Sequence, residues 1–251
     1  MERTLSLSGK YRIRDTVVNM ANLSRVSSGG ASAAIPSKRE YRSPLREQQA
    51  AQTRSRIVAA AAECFATHGY ARTTLALIGR TAGVSSESVA ANGPKAALLI
   101  AAFEHAFGGR EGADPLSERT ELQDMFAIED VEAMLAAFSD FIVAGQAAGI
   151  GLWRALSAAA LDDDAVAALY RELMERRLAD NRLAVDAMAA RGLLRRDKSV
   201  DELAGALAFL NGFEPYQVFV SDFGWSEVEL KSWYIDSVRR TILDLPDSPA
   251  R

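Results

Sequence analysis

No proline occurs between Pro115 and Pro215, and a stretch of that length free of the main helix breaker admits few folds. From Thr53 onward apolar residues recur at three- and four-residue spacing. Alanine, the strongest helix former, is abundant, and no segment sustains the two-residue alternation of β-branched residues that a strand requires. The fold class that follows is all-α: an N-terminal three-helix head containing a helix-turn-helix, and a C-terminal helical bundle.

Charge divides the chain where the periodicity does. Residues 1–56 hold 11 Lys and Arg against 4 Asp and Glu, whereas residues 57–251 hold 18 against 29, which yields the net −4 of the 251 residues. The first part is rich in Ser, Gly and basic residues without a persistent period, so residues 1–50 read as a flexible basic leader. Residues 51–110 read as the head and 111–245 as the bundle. One cysteine, Cys64, excludes an internal disulfide and a thiolate metal cluster, and two histidines, His68 and His105, supply neither a metal site nor a catalytic set. No cofactor, no metal and no enzymatic activity are therefore expected. No run approaches the roughly 18 apolar residues of a membrane span, and no signal-peptide core is seen, so the expected location is cytoplasmic, with no membrane partner.

The head has the finest local signals. A helix is expected over Thr53 to Thr67 with Ile57, Ala61, Cys64 and Phe65 on one face, stopped at Gly69. Thr74 caps a short second helix that Gly83 ends. Ser85 caps a third helix over Ser86 to Ala91, and Pro94 with Lys95 opens a fourth through Phe107. Two short helices joined by Ala82, Gly83 and Val84 form a helix-turn-helix, whose second helix enters a DNA major groove.

The run Arg56-Ile57-Val58-Ala59-Ala60-Ala61, then Cys64 to Tyr70, Thr73-Thr74, Ile78 to Ser85 and Gly93-Pro94-Lys95 with Leu98-Leu99 resembles the DNA-binding head of TetR-family transcriptional regulators. Farther on, Arg191 to Arg195, Ser199 to Glu202, and Gly224-Trp225-Ser226 followed by Trp233 also resemble members of that family. The resemblance implies a homodimer that binds a double-stranded DNA operator and takes up a small-molecule effector, usually as a repressor. Carried over by position, it places DNA contacts at Arg54, Thr73, Thr74 and Lys95 and base readout at Ser85, Ser86, Glu87 and Ser88. Ala90 stands where the family usually has a tyrosine, and the aromatic residue before Gly-x-Lys is missing. Residues 57–107 are neutral overall, with Arg72, Arg80 and Lys95 against Glu63, Glu87 and Glu104. The nearest cations for the phosphates are a basic arm of Lys38, Arg39, Arg42 and Arg46, with Arg54 and Arg56 following it; a solvated tail is an equal reading of the arm. The alternative is a helical small-molecule binding protein or enzyme with a degenerate, unused head.

Body helices are expected at Val131 to Ala148, Ile150 to Ala160, Ala165 to Ala190, Ser199 to Val220, kinked near Asn211-Gly212 and Pro215, and Ser226 to Leu243. The stripe of Leu203, Leu207 and Leu210 with Leu230, Tyr234, Val238 and Ile242 suits either packing within the chain or a bundle between two copies. The resemblance favours the second, as a dimer interface. Phe138, Phe141, Trp153, Tyr170, Met174, Phe209 and Phe213 are candidates for lining a ligand pocket, against the plainer reading of ordinary core.

Overall fold

The computed structural model describes residues 44–108 and 120–244, all within one compact unit, Arg42–Arg251. Lys38, Arg39 and Arg42 of the expected arm lie outside the described residues. Helix α1, Pro44–Arg72, begins inside the segment read as leader, so Arg46 is an exposed helical residue. Residues 46–50 bury no face, which is why periodicity misses them, yet all are good or fair helix formers. Gly69, at φ 72°, interrupts the helix where the sequence predicts its end.

The three short helices of the head match expectation closely. Helix α2, Leu75–Ala82, is capped by Thr74 and closed by Gly83 in the left-handed region; α3, Ser86–Ala90, is capped by Ser85; α4 runs Lys95–Gly108. Ile57, Phe65, Ile78, Val89, Leu98 and Leu99 are fully buried between them.

Two departures shape the body. The helices expected on either side of Gly149 are one continuous helix, α6, Val131–Ala159, preceded by an unforeseen α5, Thr120–Phe126. Glycines 145, 149 and 151 do not break α6; they allow neighbours to approach it. A Cβ on Gly145 would lie 2.8 Å from the Phe107 ring, one on Gly149 2.9 Å from Phe213, and one on Gly151 3.1 Å from Ala66 Cβ. By length and hydropathy α6 is apolar enough to cross a membrane, contrary to the reading of two shorter segments, but it is the central core helix on which α1, α4, α7 and α9 pack.

Helix α7, Asp164–Ala190, follows the cap at Asp163. Helix α8, Val200–Leu210, ends ten residues earlier than expected, and a π-helical turn, Tyr216–Asp222, replaces its predicted continuation before α9, Glu227–Thr241. Capping boxes at Ser199/Glu202 and Ser226/Glu229 fix the starts of α8 and α9.

The leucine stripe belongs inside the chain. Leu203, Leu207, Leu210, Tyr234, Val238 and Ile242 form one buried cluster with Met134, Ile142, Val185 and Met188. Leu230 is buried with Val143 and Tyr216. The expectation that these seven residues form a surface between copies is therefore corrected: the stripe is satisfied by α6 and α7 of the same chain. Leu207→Ala is expected to lower protomer stability by about 2–5 kcal/mol, read by urea denaturation. A variant that kept the parent's midpoint and changed only its elution volume in size-exclusion chromatography would return Leu207 to an intermolecular seam.

Candidate DNA-reading head and body cavity

The recognition elements are held by caps that consume several groups expected to contact DNA. Ser85 Oγ accepts the Ser88 N–H at 3.2 Å and shares a hydrogen bond with Ser88 Oγ at 3.1 Å, so both hydroxyls already have partners on α3. Exposed Glu87 has its carboxyl held below the usual range, first by its own backbone N–H and then by the Ser85 hydroxyl. Ser86 is half-buried, while Ala90 and Ala91 leave the end of the helix small and apolar. Close packing of α2 on the turn depends on Gly79, where a Cβ would sit 2.9 Å from the Val84 carbonyl oxygen. A glycine inside a short helical pattern was the available sign of that approach.

Thr73, Arg54 and Lys95 do not stand free for phosphates. Thr73 is 0% exposed, and its hydroxyl donates to the Cys64 and Gly69 carbonyls at 3.1 and 2.7 Å. It closes the end of α1, which corrects its assignment as a phosphate contact. Thr74, in contrast, is exposed at the N-terminus of α2 with Oγ1 accepting from Leu77 N–H. Arg54 donates to the Asn92 carbonyl behind α3, and Arg56 to the carbonyls of Ala82 and Gly83 at 2.8 and 3.2 Å. These two cations complement the carbonyl ends of α3 and α2 and fasten the helix-turn-helix to α1.

Lys95 takes part in a chain that leaves the head altogether. Its Nζ donates to the Tyr70 carbonyl at 3.1 Å and lies 4.0 Å from the centre of the Tyr70 ring. The Tyr70 hydroxyl donates to Asp163 Oδ2 at 3.1 Å. Asp163 Oδ1 accepts from the N–H groups of Ala165 and Val166, capping α7. Burial first, then Asp163, pushes the Tyr70 hydroxyl up to about 12, so it stays a donor through the neutral range. The Asp163 carboxyl is held below its usual value by Val166 N–H first, with Tyr70 contributing. Because that folded value lies below the unfolded one, the carboxylate's contribution is complete above the ordinary carboxylate range and is lost as pH falls through the depressed value. In sequence the run Asp162-Asp163-Asp164 reads as the N-terminal cap of the helix that follows it, and nothing pairs Asp163 with Tyr70 across 93 positions. A cleft of about 560 Å³ follows this junction, with Tyr70, Lys95, Arg154 and Asp163 among its walls.

The aromatic residues expected around a pocket separate into three groups. Phe138 and Phe141 line a cavity of about 60 Å³ together with Phe107, Phe126, Ile142, Arg177, Asn181 and Asn211. Trp153 and Phe213 are core, stacked with centroids 5.1 Å apart, and Tyr170 and Met174 pack against that cluster. Phe209 is 57% exposed, a correction: the inward face of α8 is taken by Leu203, Leu207 and Leu210, which turns Phe209 outward. Gln146 is buried; its Nε2 donates to the Gly212 carbonyl, and Oε1 is without a partner.

Arg177 is the functional candidate that sequence reasoning misses. It sits in the charged run Glu175-Arg176-Arg177, which reads as a solvated face. In the fold its guanidinium lies over the rings of Trp153 and Phe213 at 5.3 and 5.7 Å and donates to the Asn211 carbonyl at 3.2 Å. Burial pulls its pKa down, against the pull of Glu214 and Tyr170. Beside it runs a directed chain: Tyr234 Oη donates to Asn211 Oδ1, Asn211 Nδ2 to Asn181 Oδ1, each at 2.7 Å, and Asn181 Nδ2 to the Arg177 carbonyl at 2.7 Å.

Residues 57–90 match the family model described as bacterial regulatory proteins, tetR family. No curated protein matches the sequence. Among solved structures, a transcriptional regulator from Saccharomonospora viridis crystallised with choline is 18% identical and covers 78% of this chain and 100% of its own, with a TM-score of 0.58. NalD, the secondary repressor of the MexAB-OprM multidrug efflux pump in Pseudomonas aeruginosa, is 18% identical over 78% of this chain and 98% of its own, at 0.56. SmeT of Stenotrophomonas maltophilia, in complex with triclosan, is 19% identical over 80% and 98%, also at 0.56. These similarities extend the shared fold from the matched head through the helical body. Residues 57–90 thus resemble the head of the tetR family of bacterial regulatory proteins, and the chain shares its fold with these solved regulators.

Proposed function

We propose that the protein is a cytoplasmic, homodimeric repressor that leaves its operator when a small molecule enters the body. The observation that carries this reading is the Lys95–Tyr70–Asp163 chain, which ties the first residue of α4 to the N-terminus of α7. A ligand that prefers a shifted α7 shifts Asp163, and Asp163 carries Tyr70 with it. The loss of operator affinity then equals the ligand's preference for the shifted state. Solved relatives with choline or triclosan, and relatives described as repressors of efflux pumps, support the ligand and repressor parts of the reading.

On the DNA side, Thr74 meets a phosphate, Ser86 and Glu87 reach base edges, and Ser85 and Ser88 turn their hydroxyls from one another toward the groove. Glu87 suits the exocyclic amine of cytosine. Exposed Arg80 and the arm residues Lys38, Arg39, Arg42 and Arg46 supply charge that the neutral head lacks. With the leucine stripe used internally, the dimer surface is the outward side of α8 and α9, where Phe209, Gly205 and Val228 are exposed. A two-fold axis would set half-sites about one helical turn, ~34–36 Å, or a multiple of it apart.

A gel shift with DNA from upstream of the protein's own gene is expected to show retardation that weakens steeply with salt. A folded dimer that fails to retard this DNA at low salt would favour the small-molecule binding protein with an unused head. Removing residues 1–43, which stops short of α1, is expected to lower the salt slope by about 1 for each phosphate that the arm neutralises; an unchanged slope would make the arm a solvated tail. Tyr70→Phe is expected to weaken operator binding on the order of 2- to 10-fold, with an unchanged salt slope. Unaltered operator affinity in that variant would confine the Tyr70–Asp163 contact to folding.

A further inference from the structure

The polar wall of the body cavity carries several unspent hydrogen-bond donors. Asn211 Oδ1 is occupied by the Tyr234 hydroxyl, Asn181 Oδ1 by Asn211, and the Arg177 carbonyl by Asn181. Each of these oxygens thus already accepts one hydrogen bond, whereas the second N–H of each amide and most of the five guanidinium N–H groups of Arg177 are unspent. Among the described residues, Arg177 makes hydrogen-bond or ring contact with the Asn211 carbonyl, the Met174 sulfur at 4.0 Å and two aromatic faces, while Glu214 acts on it electrostatically without a hydrogen bond. Asp180 shares the cavity wall but already has a partner of its own. The unpaired acceptor Gln146 Oε1 lies off that wall.

A guanidinium largely withdrawn from water without a carboxylate in hydrogen-bonding contact is costly, and a ligand bringing an anionic oxygen pair relieves that cost through bidentate bonds. The opposite wall is apolar, made by Phe107, Phe126, Phe138, Phe141 and Ile142. At about 60 Å³ the cavity has room for roughly two water-sized groups, the scale of a carboxylate. Phe126, Phe138 and Phe141 are only half-buried, so an apolar tail has a way out between their rings.

Building on the effector reading of the body, we infer that the small molecule it takes up is an amphipathic carboxylate, its anionic end on Arg177, Asn181 and Asn211 and its apolar portion among the phenylalanine rings. Arg177 is the specificity-determining residue: a neutral or cationic ligand of the same shape leaves its donors unmet.

Isothermal titration calorimetry on the full chain tests this with 1-naphthoate and decanoate as carboxylate probes and 1-naphthylmethylammonium as the cationic counterpart. At least one carboxylate is expected to bind saturably, at least tenfold more tightly than the ammonium. Arg177→Gln is expected to lose that binding at least tenfold, and Arg177→Lys to retain part of it. Equal or tighter binding of the ammonium, absence of saturable binding by both carboxylates, or unchanged affinity in Arg177→Gln overturns the inference. If Arg177→Gln does not fold, the comparison of carboxylate with ammonium on the parent chain decides alone. Operator retardation by the parent chain without any probe reports separately on the DNA-binding reading. A carboxylate that binds but leaves the DNA complex intact would keep the anion site and remove the release step.

Discussion

Close approach to α6 is the constraint on which the rest of this structure depends. Gly145, Gly149 and Gly151 present bare backbone to Phe107, Phe213 and Ala66, closer than a Cβ would sit without displacing the two rings and crowding Ala66. Through Phe107 and Phe213 the helix receives α4 and the segment after α8; through Ala66 it receives α1. One buried cluster therefore runs from Ile57 and Ile78 in the head to Trp153, Leu173 and Phe213 in the body. The head is not hung from the bundle by a linker but shares its core, and interiors packed this closely transmit displacement rather than absorb it.

That shared core gives the Lys95–Tyr70–Asp163 chain its meaning. A surface hydrogen bond between two freely moving parts would carry little information. Here the two ends sit on helices that α6 already holds in register, so the chain links the N-terminus of α7 to the first residue of α4. Arg177 lies on the same α7, with its guanidinium on the aromatic cluster that packs on α6. Arg177 and the Asp163 cap thereby sit on one helix.

Much of the head was legible because its signals are local. Thr74, Gly83 and Ser85 act within three or four residues of where they stand, and each does in the fold what its type implies. The site residues were less legible. Thr73 and Thr74 are adjacent and chemically identical, yet one is sealed under Cys64 and Gly69 while the other faces solvent. Nothing in their spacing distinguishes them. Arg54, Arg56 and Lys95 read as spare cations, and only the fold shows carbonyl oxygens and an aromatic ring waiting for them.

By itself the sequence determined the all-helical class, the caps and stops of the head and the division of charge, because these follow from backbone geometry and residue type over a few positions. Tertiary structure decided what faces what. It put the leucine stripe of α8 and α9 inside the chain, turned Phe209 outward, kept α6 whole through its glycines, and drew Arg177 out of a charged run onto Trp153 and Phe213. The physical reason is that an apolar or charged helical face specifies only that it needs a partner. Which partner it finds depends on residues far away along the chain, whose approach is set by packing.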